Sequence, residues 1–196
     1  MSEKKFRHEK IVDNPTSQSD FFAKVVQVFG DNAMVGLCFY IATLFRDIVI
    51  GKSRSFPILN AFGPKGCGKT EFAATLMNFF YKYETKYEPL SITNASMPAL
   101  SDYVGGVSDA LVHIDEYKNS ITQNKVEWLK DLWNGIGRTK MNMDKDKKLV
   151  QAKVDSGIIL TGQEMPTADI ALFSRLIYLT FDRGDCLKTH SSQNVS

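Results

Sequence analysis

Apolar positions along the chain change from helical to strand-like spacing and back several times. After a polar stretch over residues 1–19, Phe21, Phe22, Val25, Val26 and Phe29 recur at helical spacing, with Ser19-Asp20 as a start signal and Gly30 as a stop. A second helix is predicted from about 31 to 50, with Gly51 beyond its end. Short apolar runs then alternate with amphipathic ones. Strands are predicted at 58–62, 89–93, 110–114, 157–161 and 176–181, and helices at 70–81, 97–103, 124–133 and 168–173. This alternation predicts an α/β fold, a mostly parallel sheet flanked by helices on both faces. The organisation read from it is a loose lead-in over 1–19, a helical segment over 20–52, a core over 53–185 and a polar tail over 186–196.

Bulk properties narrow the field. A chain of 196 residues, 43% hydrophobic and 23% charged, is long enough for one domain with its own core. A net charge of +2 excludes a chain-wide basic surface, so any nucleic-acid contact must be local. Cys38, Cys67 and Cys186 lie far apart and form neither a disulfide framework nor a zinc pattern, which predicts a reducing, cytoplasmic setting. The apolar run 33–50 is interrupted by Arg46 and Asp47, and reads as a buried helix rather than a membrane span.

The densest chemical signal is Gly63-Pro64-Lys65-Gly66-Cys67-Gly68-Lys69-Thr70, a G-x-x-x-x-G-K-[ST] pattern between a predicted strand and a predicted helix. Glycines let successive backbone N–H groups turn inward toward phosphate oxygens, and the helix start adds its positive dipole end. Lys69 supplies a cation for the β- and γ-phosphates and the Thr70 hydroxyl a ligand for Mg²⁺, so ATP or a similar nucleotide with Mg²⁺ is the expected occupant. Cys67 reads as a small filler of the loop. The strand 110–114 closes on Asp115 and Glu116, assigned to the metal and to the attacking water respectively. His113, inside that strand, reads as a core or supporting histidine. The strand 157–161 leads to Gln163, the preferred polar sensor of the γ-phosphate, with Thr161 as the alternative. Arg175 either pairs with an acid such as Asp169 or reaches into a neighbouring subunit's nucleotide site.

Between the acid pair and the sensor lies a basic hairpin. From Arg138 to Lys153 six basic residues face two acids, a local balance of +4 against +2 for the whole chain. Lys140, Lys145, Lys147 and Lys148 are the candidates for gripping nucleic-acid phosphates without reading bases.

With the phosphate loop, the acid pair, the hairpin, Gln163 and Arg175 in this order, the chain resembles the AAA+ group, and within it the superfamily 3 helicases and the ATPase domains of phage and mobile-element primase-helicases. Leu172-Phe173-Ser174-Arg175-Leu176-Ile177 is similar to their arginine-finger region, and Asp115-Glu116-Tyr117-Lys118-Asn119 and Gly135-Ile136-Gly137-Arg138 look like segments of the bacterial primase-helicases. The resemblance covers about residues 20–183. It implies a ring, a hexamer by analogy, that hydrolyses ATP and translocates on single-stranded DNA, in company with a primase or other replication protein and not with a membrane. A switch that remodels or loads a protein, and a non-catalytic nucleotide-binding module, are the alternatives. Two features depart from the group: glutamine stands where its sensor is usually asparagine, and no clear helical lid follows Arg175.

Overall fold

The computed structural model describes residues 17–79, 88–141 and 149–182, with backbone alone over 138–141 and 149–152. Three helices come first: α1 (Gln18–Phe29), α2 (Asp31–Leu44) and α3 (Arg46–Ser53). Then follow β1 (Ile58–Phe62), α4 (Lys69–Met77), β2 (Leu90–Ser91), α5 (Met97–Gly105), β3 (Ser108–Tyr117), α6 (Gln123–Trp133), β4 (Ile136–Met141), β5 (Leu149–Lys153), β6 (Asp155–Gly162), α7 (Ile170–Phe173) and β7 (Leu176–Thr180).

Strands β2-β3-β6-β1-β7 form one sheet in that spatial order, and every neighbouring pair is parallel. Because β6 is inserted between β1 and β3, the segments leaving the C-terminal ends of these three strands emerge side by side, which is where ligands of open α/β sheets bind. The inner strands are apolar on both faces, as a doubly covered parallel sheet requires. Leu59, Ala61, Leu111, Ile159 and Leu179 pack on one face against α1, α2 and α4. Ile58, Val112, Ile114, Ile158 and Leu160 pack on the other against α5, α6 and Leu172 of α7.

The leading helices are thus half of one covering layer. Close approach of α2 depends on missing side chains at two points. A Cβ at Gly36 of α2 would lie 2.4 Å from the Phe72 ring, and one at Gly157 of β6 would lie 2.3 Å from Thr43 Oγ1. The Phe72 ring has no room to retreat: it is fully buried, with the Phe29 ring 5.2 Å and the Phe181 ring 5.3 Å away.

The helix expected over 31–50 is two helices, bent by 89° at Phe45. The turn lets Arg46 drop inward. Its side chain is 2% exposed, donates from Nη1 to the Val154 carbonyl and lies 5.3 Å from the centre of the Phe56 ring. Burial pulls the guanidinium below its ordinary pKa, against the opposing influence of Asp155 and Asp109. Gly51 lies inside α3, which ends instead with Arg54 in the left-handed region (φ 65°). Helix α1 starts earlier than expected because the Ser17 hydroxyl accepts the Asp20 N–H. β3 continues through the acid pair instead of stopping before it. No single helix among the described residues is long and apolar enough to cross a membrane.

The hairpin's strands are in place, antiparallel with Lys140 opposite Val150. β4 begins at Ile136, where the Trp128 indole N–H holds the Gly137 carbonyl at 2.9 Å. Lys145, Lys147 and Lys148 lie outside the described residues, as do the lead-in before Ser17 and the tail after Asp182, which contains Cys186.

Two glycine substitutions separate close packing from helix propensity. Gly36→Ala is expected to cost about 1–3 kcal/mol by overpacking against Phe72. Gly51→Ala, which meets no atom within 4 Å, should gain about 0.5–1 kcal/mol. Urea unfolding midpoints of the two variants, moving in opposite directions, are the check.

Candidate functional site

At the end of β1 the chain needs conformations that only glycine adopts easily. Gly63, Gly66 and Gly68 have φ of 150°, 79° and 89°. A Cβ at Gly63 would stand 2.0 Å from the Phe181 carbonyl oxygen, whereas Gly66 faces open space. The loop opens α4, for which Gly68 is the N-cap. Lys69 folds back over it, 8% exposed, donating from Nζ to the carbonyls of Gly63 (2.8 Å) and Pro64 (2.7 Å) and to Cys67 Sγ (3.3 Å). Cys67 is buried and its thiol donates to the Pro64 carbonyl at 2.9 Å, so it fills and fastens the loop.

Opposite the loop stands the acid pair. Consecutive strand residues normally point to opposite faces, yet Asp115 and Glu116 line the same cavity. The pairing explains this: Ile114 is opposite Leu160 and Tyr117 opposite Gly162, so β3 carries one residue more than β6 over this span. Such a bulge re-aims side chains, and Glu116 takes up the bend with a left-handed φ of 62°. Its backbone carbonyl accepts from Thr93 Oγ1 (2.6 Å), and its Oε2 accepts from the Ser91 hydroxyl and from Asn94 Nδ2 (3.2 Å). Sequence reasoning did not single out Ser91 and Asn94. Their signal is the cluster of polar residues Ser91, Thr93 and Asn94 at the end of a segment read as strand over 89–93.

Asp115 Oδ1 accepts the Glu116 N–H at 2.6 Å and the Thr161 hydroxyl at 2.5 Å. The Thr161 oxygen is in turn 2.7 Å from Nε2 of His113. Both His113 and Thr161 are fully buried. Burial drives the histidine pKa down to about 4, although Asp115 opposes the shift, so the ring is neutral at physiological pH. Of the two sensor candidates, Thr161 is therefore engaged with Asp115 from below, while the exposed Gln163 lines the cavity itself.

One cavity of about 280 Å³ gathers Lys65, Gly66, Lys69, Thr70, Asp115, Glu116, Lys118 and Gln163. The glycine loop and its lysines face two carboxylates across it, a donor set that suits a polyphosphate on one side and a hard divalent cation on the other. The Thr70 hydroxyl and the Asp115 carboxylate are the oxygen ligands of the kind Mg²⁺ takes. Lys118 is a further cation at this cavity that sequence reasoning did not assign.

Arg175 is not gathered in. It precedes β7, which runs parallel to β1 with Ile58 opposite Leu176 and Phe62 opposite Thr180. It therefore sits at the far end of the sheet from the phosphate loop, about 20 Å away at about 3.3 Å per residue. Its guanidinium donates to the Ala171 carbonyl and lies 5.3 Å from the centre of the Trp133 ring, and its buried Nε has no partner among the described residues. The intrachain alternative, an ion pair with Asp169, is not formed: Asp169 caps α7 through the Leu172 N–H (2.7 Å) and pairs with Lys130 (3.2 Å). Lys140 contributes only backbone here, and the other hairpin lysines fall outside the described residues.

Comparison with solved structures places the fold. The chain is similar to the SCCmec type IV Cch active helicase, with a TM-score of 0.52 and 17% identity over 91% of this chain and 35% of that one. This is the P-loop NTPase fold. A RuvB mutant of Thermotoga maritima matches with a TM-score of 0.49 and 15% identity over 82% of this chain and 46% of that one. NtrX of Brucella abortus matches with a TM-score of 0.44 and 13% identity over 69% and 35%. This chain thus spans about a third of the length of the Cch helicase. No protein-family model matches the sequence, and no curated protein matches it.

The buried histidine makes stability depend on pH. Its folded pKa of about 4 lies below the unfolded value of about 6.5, so between these values the unfolded chain binds more protons than the folded one. Stability should therefore fall as pH drops from 6.5 toward 4, by an amount on the order of 3 kcal/mol. Urea unfolding at pH 7 and pH 4.5 should show this loss in the wild type and a smaller one in His113→Gln.

Proposed function

We propose that this chain binds and hydrolyses ATP with Mg²⁺, and that it works as a ring-forming motor, of the primase-helicase type in replication, moving on single-stranded DNA. The observation that carries the reading is the single cavity in which the phosphate loop faces Asp115 and Glu116. Loop amides, the N-terminal end of α4 and Lys69 receive the phosphates. Thr70 and Asp115 would hold Mg²⁺, which when bound supplies positive charge against the phosphate oxygens. Glu116 orients water and takes its proton as that oxygen bonds to the γ-phosphorus and the bond to the β-phosphate oxygen breaks. Ser91 and Asn94 both donate to Oε2 of this carboxylate, which orients it and leaves Oε1 to act on the water. Gln163 lies where it can hold the water or sense the γ-phosphate.

Arg175, a strand length from its own loop, serves a neighbouring copy's site in this reading, where its guanidinium leaves the Ala171 carbonyl and the Trp133 ring and offsets transition-state charge. That placement supports a ring with nucleotide between subunits, a hexamer by resemblance. β4 carries Lys140, and the sequence between β4 and β5 carries Lys145, Lys147 and Lys148, which are the DNA-gripping residues in this reading.

Glu116→Gln is expected to lower phosphate release by about 10²–10⁴-fold while leaving nucleotide affinity intact. Lys69→Ala should lose both. Phosphate-release assays beside fluorescent-nucleotide titrations distinguish these outcomes, and tight binding without hydrolysis by the wild type would point to the non-catalytic module. For the hairpin, replacing Lys145, Lys147 and Lys148 by alanine should reduce the slope of log affinity against log salt for single-stranded DNA by about 2. An unchanged slope, with ATP turnover indifferent to DNA, would transfer the hairpin to a protein partner and favour the remodelling switch.

A further inference from the structure

Thr161 stands between two groups that together determine where protons lie. Its oxygen is 2.7 Å from His113 Nε2 and 2.5 Å from Asp115 Oδ1. A threonine hydroxyl has one proton to give, and a carboxylate only accepts. That proton therefore lies toward Asp115, and the contact with His113 requires the hydroxyl oxygen to be the acceptor. The geometry places a hydrogen on Nε2 of His113, and the order of donation runs from His113 to Thr161 to Asp115.

The consequence falls on the carboxylate. Oδ1 of Asp115 already accepts the Glu116 N–H at 2.6 Å, so with Thr161 it holds two donors, while Oδ2 has no hydrogen-bond donor among the described residues. One oxygen is pinned to the strands and the other is left for the cavity that Asp115 lines. Without the donor from His113, the Thr161 hydroxyl is free to turn its proton elsewhere, and Asp115 loses one of the two bonds that orient it. Its neighbours along β3, Leu111, Val112 and Ile114, are buried as His113 is. Burying an imidazole there is costly unless its ring nitrogens are used.

We propose that His113 is a positioning residue for the metal-binding carboxylate, acting through Thr161 to hold Asp115 by Oδ1 and present Oδ2 to the divalent cation. This rests on the assignment of Asp115 to the metal made above. The role differs from core packing in what it moves: the affinity for the cation, with nucleotide binding and folding left alone.

The test compares His113→Leu, which keeps bulk and deletes the donor, with His113→Gln, whose amide N–H₂ can reach the position of Nε2. Thr161→Val and Asp115→Asn serve as references. Mn²⁺ binding is followed by electron spin resonance in the presence of a slowly hydrolysed ATP analogue, and nucleotide affinity is measured separately in EDTA. His113→Leu and Thr161→Val should weaken Mn²⁺ binding about tenfold, and His113→Gln by less than about threefold, with EDTA affinities unchanged. Nitrogen-15 spectra of the labelled histidine in the wild type should place the hydrogen on Nε2. The proposal is overturned if His113→Leu binds Mn²⁺ as the wild type does while Asp115→Asn does not, if glutamine is no better than leucine, or if the hydrogen is on Nδ1 alone. Should Asp115→Asn itself bind Mn²⁺ normally, the metal assignment of Asp115 falls, and the role of His113 falls with it.

Discussion

Two adjacent carboxylates face one cavity only because the backbone at Glu116 departs from strand geometry. In a regular β3, Asp115 and Glu116 would point to opposite faces, and one acid would be lost to the site. The extra residue opposite β6 and the left-handed φ of 62° at Glu116 bring them to the same side. For a non-glycine residue that conformation costs about 1–3 kcal/mol, and it persists where surrounding bonds over-determine it. Here Thr93 grips the carbonyl, Ser91 and Asn94 grip the carboxylate, and Asp115 takes the N–H. The segment after β2 is therefore as much part of the acid pair as β3 itself.

What was readable in the sequence is what local rules dictate. The phosphate loop needs glycine at given offsets between a strand and a helix, and β1 runs over the predicted residues 58–62 for that reason. Strand and helix alternation was sufficient for the parallel sheet. The bulge was not legible, because Glu116 adopts its conformation through side chains more than twenty residues away. The break at Phe45 was equally hidden: no proline or glycine marks it, and the reason for it is a carbonyl at Val154, over a hundred residues distant. Arg175 shows the same limit from another side. Asp169 is its near neighbour in sequence, yet Lys130 from α6 takes that carboxylate and leaves the guanidinium to Trp133.

The leading helices show how a segment outside the motif-bearing region becomes integral to it. Gly36 admits the Phe72 ring of the helix that follows the phosphate loop, and Gly157 admits Thr43 beside the strand that carries Thr161. Arg46 then reaches beneath to the root of the hairpin, where it holds the Val154 carbonyl. Helix α2 thus touches the supports of the phosphate loop and of the sensor strand, and α3 those of the hairpin.

The back-folded Lys69 has one more implication. An ammonium has three hydrogens, and here two carbonyls and a sulfur occupy them all. A ligand entering the loop must outbid acceptors that are already well placed. A sugar hydroxyl or a neutral carbonyl gains nothing by the exchange, whereas an anionic phosphoryl oxygen adds the attraction of opposite charges to the hydrogen bond. An uncharged visitor meets a lysine whose hydrogens are already satisfied, so at this loop formal charge weighs before shape does.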